Sequence, residues 1–80
     1  MTTASTEIVY AGYGVYNQTI DVTSGIRQEY ATGKRVFNAS NQFGDPAPGQ
    51  RKYLYIVWKS GQDLVSGVTG ENDNHGISVP

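Results

Sequence analysis

The stretch "RKYLYIVWK", at residues 51–59, constrains the fold more than any other part of the chain. A β-strand sends successive side chains to opposite faces, so this run predicts a strand with two distinct faces. One face carries Leu54, Ile56 and Trp58, and the other carries Tyr53, Tyr55 and Val57. The first face is typical of a core. Because the second face is also largely apolar, it raises the question of what covers it.

The chain has 80 residues and no cysteine. This length predicts one domain, residues 1–80, which removes only about 60% of its unfolded surface from water. Without cysteine, neither a disulfide nor a thiolate metal site can brace so small a core. Self-association or a bound ligand is a common remedy, and we therefore expect a homo-oligomer.

The net charge is −1, from six Lys and Arg against seven Asp and Glu. A chain with this balance has no electrostatic attraction for nucleic acid or for an anionic membrane surface. No apolar run reaches the ~18 residues of a membrane span, and the opening "MTTASTEIVY" lacks the features of a secretory signal. The sequence thus predicts no nucleic-acid partner, no membrane insertion and synthesis in the cytoplasm.

Turn residues divide the chain into short elements. Strands are predicted at residues 7–16, 18–22, 35–40, 51–59, 64–69 and 77–79, and one or two helical turns at residues 23–34. Thr23 or Ser24 is expected to cap the helix and Gly33 to end it. Residues 1–6 are expected to be flexible. This pattern indicates an all-β fold with one short helix, either a small antiparallel β-sandwich, which we favour, or a small open barrel.

Several motifs occur in order along the chain: "YG" at 13–14, "IDVT" at 20–23, "NQFGDPAPGQRKYLYIVW" at 41–58 and a turn at Gly61. Across residues 8–80 they resemble the small β-domain that closes the C11 class of J-domain co-chaperones and also occurs in stand-alone microbial proteins. The resemblance implies that residues 54, 56 and 58 face the core, that Asp21 and Thr23 begin the helical turn, and that residues 44–46 form a corner. It implies no catalytic residue. Those relatives usually carry polar residues at positions 53, 55 and 57, so function is expected where this chain departs from them.

The outward tyrosines are the first candidate ligand-binding residues. Alternation in the first strand places Val9, Ala11 and Tyr13 on the core side, with Ile8 and Tyr10 turned outwards. If the strands share a sheet, Tyr10 joins the outer residues Tyr53 and Tyr55 in one aromatic patch. Tyrosine can stack on a sugar ring or anchor a protein contact. The alternative is cross-strand pairing that only stabilises the sheet.

The loop "GENDNHG", residues 70–76, groups the other candidates, Asn72, Asp73 and His75. Their oxygen and nitrogen atoms could bind sugar hydroxyls or calcium. As a calcium-binding EF-hand the loop is incomplete, because the chain ends before the twelfth position, where a bidentate Glu belongs. A polar hairpin loop is the simpler interpretation.

No reaction is indicated by any motif. Asp45 precedes a proline and is typical of a turn, and His75 has no evident orienting partner. We therefore expect no enzyme and no cofactor, but a binding module. Rigid aromatics with many short polar groups favour a lectin-like, carbohydrate-binding function. A protein-interaction or self-assembly module is the alternative.

Overall fold

The computed structural model describes residues 6–80. Its elements are β1 (Thr6–Val15), β2 (Gln18–Asp21), α1 (Thr23–Ala31), β3 (Val36–Phe37), a single 3-10 turn (Asn41–Phe43), β4 (Tyr53–Ser60), β5 (Asp63–Gly70) and β6 (Ile77–Ser78). The expected flexible terminus falls on residues 1–5, which lie outside the described residues, and on Thr6, which begins β1.

Two antiparallel sheets organise the domain. Four strands form the larger sheet in the order β2-β1-β4-β5, and β3 pairs with β6 in a smaller one. The predicted all-β class with one short helix is confirmed, and the sheets do not close into a barrel. Within residues 6–80 no helix is long and apolar enough to cross a membrane.

One face of the larger sheet forms the core. Leu54, Ile56 and Trp58 are buried there, as the alternation of β4 predicts. The helix, the smaller sheet and the C-terminal residues cover this face, contributing Val22, Ile26, Phe37, Ile77 and Val79. These elements all pack on one side, and no helix or further sheet of residues 6–80 packs on the opposite side, which is called the outer face below.

A β-bulge corrects the predicted facing of β1. The pairing with β4 shifts by one residue between Ile8 and Tyr10, so Val9 is the extra residue. Ile8 is buried opposite Trp58, whereas Val9 is 42% exposed. Simple alternation assigned these two residues the other way round, because a bulge interrupts the two-residue period. Ala11 and Tyr13 face the core and Tyr10 faces outwards, as predicted.

The start of α1 also differs from the prediction. Its N-cap residue is Val22, and neither Thr23 nor Ser24 caps it. The Asp21 carboxylate instead accepts a hydrogen bond from the backbone N–H of Thr23 at 2.9 Å. The Thr23 hydroxyl accepts one from the backbone N–H of Ala11 at 3.0 Å and so ties the helix to β1. Gly33 follows the helix with φ of 109°, a conformation that suits glycine and ends the helix as expected.

Candidate functional site

Strand register determines which side chains meet on the outer face, because directly paired residues share a face. One row across the sheet runs from Asp21 on β2 through Gly12 on β1 and Tyr55 on β4 to Val68 on β5. A neighbouring row contains Thr19, Gly14, Tyr53 and Gly70 in the same strand order. Tyr10 lies opposite Val57. The structure thus brings Tyr10, Tyr53 and Tyr55 onto one face of one sheet, as predicted.

Tyr10 lies along its own strand, over Gly12. A Cβ atom built at Gly12 would stand 2.6 Å from the Tyr10 hydroxyl oxygen and 3.1 Å from two ring carbons. Gly12 is buried under this ring, while Tyr10 itself stays 41% exposed. Gly12 also pairs with Tyr55, which is 37% exposed. The missing side chain at position 12 therefore lets an aromatic ring lie low across the sheet beside Tyr55.

Tyr53 is held in place by Arg51. The guanidinium carbon lies 5.0 Å from the centre of the Tyr53 ring, and Nη1 donates a hydrogen bond to the Tyr53 hydroxyl at 3.0 Å. Nε donates to the carbonyl of Glu71 at 3.0 Å, and Nη2 pairs with the Asp73 carboxylate. Gly70 provides the space, since a Cβ atom there would stand 2.6 Å from Nη2. Tyr53 is therefore less free to move than an isolated surface tyrosine.

Asp21 is a candidate site residue that sequence reasoning assigned only to the start of the helix. Pairing with Gly12 places it on the outer face, at the β2 margin of the row that contains Tyr55. Both hydrogen bonds that it accepts within residues 6–80 come from Thr23 and reach Oδ1. They hold the Asp21 pKa below its ordinary value, first through the Thr23 hydroxyl. Asp21 thus presents an ionised carboxylate whose Oδ2 can accept a further bond.

The β5 side of the outer face is aliphatic. Leu64 is 70% exposed and Val68 is 58% exposed, and they pair with Lys59 and Tyr55 respectively. Sequence reasoning missed these residues as surface features. The signal was present in the alternation of "LVSGVT", but a strand pattern alone does not say which face the rest of the chain will cover.

The loop at residues 70–76 makes more hydrogen bonds and ion pairs with the rest of the protein than its sequence predicted. The backbone N–H of Gly70 donates to Asp73 at 2.8 Å, and the same carboxylate pairs with Arg51. His75 accepts a bond from the Thr69 hydroxyl through its backbone carbonyl at 2.6 Å. The side chains of Asn72 and His75 are exposed. Asp73 therefore reaches the aromatic patch through Arg51, whereas Asn72 and His75 stand on the loop beside it.

Lys52 forms a buried ionic cluster that the sequence did not reveal. Its side chain is almost fully buried, with Nζ 3.0 Å from Asp45 and 3.3 Å from Glu71. Glu71 also accepts the backbone N–H of Lys52 at 2.8 Å and lies 3.0 Å from the Tyr13 hydroxyl. Asp45 keeps its predicted turn role, since it accepts a bond from the N–H of Ala47. These contacts hold the 41–50 turn and the 70–76 loop to β4.

Stability should therefore depend on pH at both extremes. The pKa of Glu71 is lowered from 4.5, first by the Lys52 backbone N–H, so its stabilisation is present above pH 4.5 and lost as pH falls through the folded-state pKa. The pKa of Lys52 is raised from 10.5, first by its bond to Asp45, so its stabilisation is present below pH 10.5 and lost above the raised pKa. We expect melting temperatures that are level between these limits and lower outside them.

Glu71→Gln tests whether the loss of stability at low pH comes from the protonation of Glu71. It should flatten the acid side of the melting-temperature profile, while Glu29→Gln, which removes the partner of the more exposed Lys34, should leave the profile unchanged. An acid limb that is identical in wild type and Glu71→Gln would assign the pH dependence to other carboxylates, of which Asp21 is the first to test.

The outer face is open rather than enclosed. Within residues 6–80 there is no pocket that would surround a small molecule, and no group of three or more His, Asp or Glu side chains is arranged to hold a metal ion. Comparison with known proteins found no matching family model, curated protein or solved structure.

Proposed function

We propose that this protein is a non-enzymatic carbohydrate-binding module whose binding surface is the aromatic half of the outer face. This surface, called the tyrosine platform below, consists of Tyr10, Tyr53, Tyr55 and Asp21. The observation that carries the proposal is the row Asp21, Gly12, Tyr55, with the Tyr10 ring lying over Gly12. It combines apolar ring surface with a free carboxylate oxygen at its margin.

Sugars need both kinds of group. The C–H face of a pyranose ring is apolar and packs on an aromatic ring, whereas its hydroxyls must regain hydrogen bonds that they lose with water. On the platform, the tyrosine rings supply the apolar surface, and Asp21 Oδ2 and the tyrosine hydroxyls supply the hydrogen-bonding groups. Because no pocket encloses this surface within residues 6–80, it suits several consecutive residues of a polysaccharide better than one enclosed monosaccharide.

The test is binding to a glycan array and to insoluble polysaccharides such as cellulose and chitin. We expect the wild type to retain one coherent class of glycan. Tyr55→Ala should weaken that binding about tenfold, since the loss of one stacking ring is worth about 1 kcal/mol or somewhat more. Asp21→Asn should weaken it less and shift preference among hydroxyl configurations, because an amide keeps the shape of the carboxylate but not its charge.

Tyr16→Ala is the matched control. Tyr16 is 99% exposed and sits in the turn between β1 and β2, beyond their last strand pair, Val15 and Gln18. Its removal should leave glycan binding unchanged. A blank array, or binding that depends on Tyr16 and not on Tyr55, would rule the proposal out. If a calcium chelator abolishes glycan binding, Asn72 and Asp73 would belong to the binding site as well.

A protein-contact function is the second candidate. It is favoured by the exposed aliphatic side chains Leu64 and Val68, which extend the outer face beyond the tyrosine platform. The co-chaperone resemblance points the same way. Under this alternative, Leu64→Ser and Tyr55→Ala would weaken the binding of one protein partner to the same extent, and the protein would bind no glycan.

A further inference from the structure

We propose that two copies of this chain pair through the free edge of β5 and form a two-fold dimer with one eight-stranded sheet. The proposed interface is the sheet edge, not the tyrosine platform, and its formation does not depend on which ligand the platform takes. β4 lies along one side of β5, and within residues 6–80 no strand lies along the other. A free edge presents unpaired backbone groups and is a template for another strand.

The hairpin determines which groups point outwards. A two-residue turn joins β4 and β5, and its closing pair, Ser60 and Asp63, belongs to the hydrogen-bonded set. Because hydrogen-bonded and non-hydrogen-bonded pairs alternate along the hairpin, the backbone N–H and C=O groups of residues 64, 66 and 68 point to the free edge. Two observations agree: the N–H of Glu71 donates to the carbonyl of Lys52 at 2.9 Å, and the outward N–H of Gly70 is taken by Asp73. The open edge therefore ends at Val68.

The opposite edge of the sheet is shorter, because its edge strand β2 has only four residues and ends at the charged Asp21. The part of β1 that does not pair with β2 is covered by α1 and its N-cap residue. Arg27 Nε donates a hydrogen bond to the carbonyl of Ile8 at 2.9 Å, and the backbone N–H of Val22 donates one to the carbonyl of Ala11 at 2.9 Å. Within residues 6–80 no comparable hydrogen bond reaches residues 64, 66 or 68 of β5. Residues 64–70 contain no charge and no proline, and their pairing with β4 shows no bulge. Three features that usually discourage edge pairing, namely charge, proline and a bulge, are thus absent from residues 64–70 of β5.

A two-fold axis normal to the sheet pairs two β5 strands antiparallel and keeps both outer faces on the same side. The register that uses every open group is centred on Ser66. Leu64 then pairs with the partner's Val68, Ser66 with the partner's Ser66, and Val68 with the partner's Leu64. Each residue offers one N–H and one C=O, so all outward groups of residues 64, 66 and 68 are satisfied in both copies. A shift of two residues in either direction leaves some of them unpaired.

This register also accounts for the exposed aliphatic side chains. Leu64, which is 70% exposed, and the partner's Val68, which is 58% exposed, become neighbours on the outer face. No like charges oppose each other, because Asp63 falls opposite the partner's Thr69. The edge is self-complementary in hydrogen bonds, in apolar contacts and in charge, which favours a second copy over an unrelated extended peptide as the occupant.

Disulfide trapping tests the register, because the chain has no cysteine of its own. Hydrogen-bonded pairs of an antiparallel ladder, such as Ser66 and the partner's Ser66 in this register, have Cα atoms about 5.5 Å apart, a distance that a disulfide spans. Ser66→Cys should therefore oxidise to a covalent dimer. Gln62→Cys, in the exposed β4–β5 turn, is the control: its two copies would lie about 27 Å apart along the strand direction. Equal cross-linking of the two variants, or none at Ser66→Cys, would overturn the proposal.

Charge exchange at the axis gives an independent measurement. Ser66→Lys alone and Ser66→Glu alone should be monomers in sedimentation experiments, since each would place like charges directly opposite one another. An equimolar mixture should recover the dimer. A monomeric wild type at millimolar concentration, or a mixture that stays monomeric, contradicts the model. Tyr55→Ala should keep the dimer, so a failure of dimerisation and a failure of glycan binding can be told apart.

Discussion

Gly14→Ala is expected to destabilise the fold by about 3 kcal/mol or more, because it combines a backbone clash with backbone strain. A Cβ atom at Gly14 would lie 2.6 Å from the Cα of Thr19 and closer still to the carbonyl oxygen of Gln18. Both are main-chain atoms of β2, so no side chain can turn aside. Gly14 also has φ of 150°, which an alanine rarely adopts. A domain of this size has only about 4–12 kcal/mol of stability to lose.

Urea unfolding followed by Trp58 fluorescence measures this effect. Gly33→Ala is the control, since Gly33 has φ of 109° but nothing within 4 Å of its Cβ position. It should cost about 1 kcal/mol, from backbone strain alone. If the two variants unfold at the same urea concentration, the close approach of β1 and β2 at Gly14 is not the source of the loss.

Ile56→Ala is expected to lower the free energy of unfolding by about 4 kcal/mol, which is in the upper part of the range for replacing a buried isoleucine by alanine. Ile56 is fully buried, and its two partners across the sheet are Ala11 and Gly67. Neither small residue can move into the space that the deletion would leave. Ile77 already packs on Gly67, where a Cβ atom would stand 2.8 Å from its Cγ2. The cavity would therefore persist, and its cost would add to the lost burial.

Val57→Ala separates the two faces of β4. Val57 is the next residue along the strand but points to the outer face, where it is only half-buried. Its replacement should cost about 1 kcal/mol, mainly from lower strand propensity. Equal losses of unfolding free energy at positions 56 and 57 would contradict the assignment of core and outer face.

The tyrosine platform could be predicted only in part. Alternation placed Tyr53 and Tyr55 together on one face of β4, because a two-residue period is a property of the strand itself. It could not place Tyr10 beside them or Asp21 at the margin. Those positions depend on the order β2-β1-β4-β5 and on its register, which are set by contacts between residues far apart in the chain.

The loop candidates show the same limit. Asn72, Asp73 and His75 look equivalent in "GENDNHG", since composition does not show which polar group has an internal partner. Arg51 is 22 residues away from Asp73 in the chain, yet it pairs with Asp73 and stacks on Tyr53. Lys52 likewise acquires Asp45 and Glu71 only when β4 and β5 pair and the 41–50 turn folds back.

The sequence by itself determined that six strands and one helix form, that the helix stops before Gly33, and that β4 has two faces, because propensity, turn chemistry and periodicity act over a few residues. It did not fix every bound, since the strand predicted at residues 35–40 is only Val36–Phe37. The tertiary structure decided the bulge at Val9, the identity of the N-cap residue of α1 as Val22, the burial of Lys52 and the exposure of Leu64 and Val68. Each of these depends on which elements pack together. A sheet covered on one side alone leaves the other side open, and no local pattern states which side that will be.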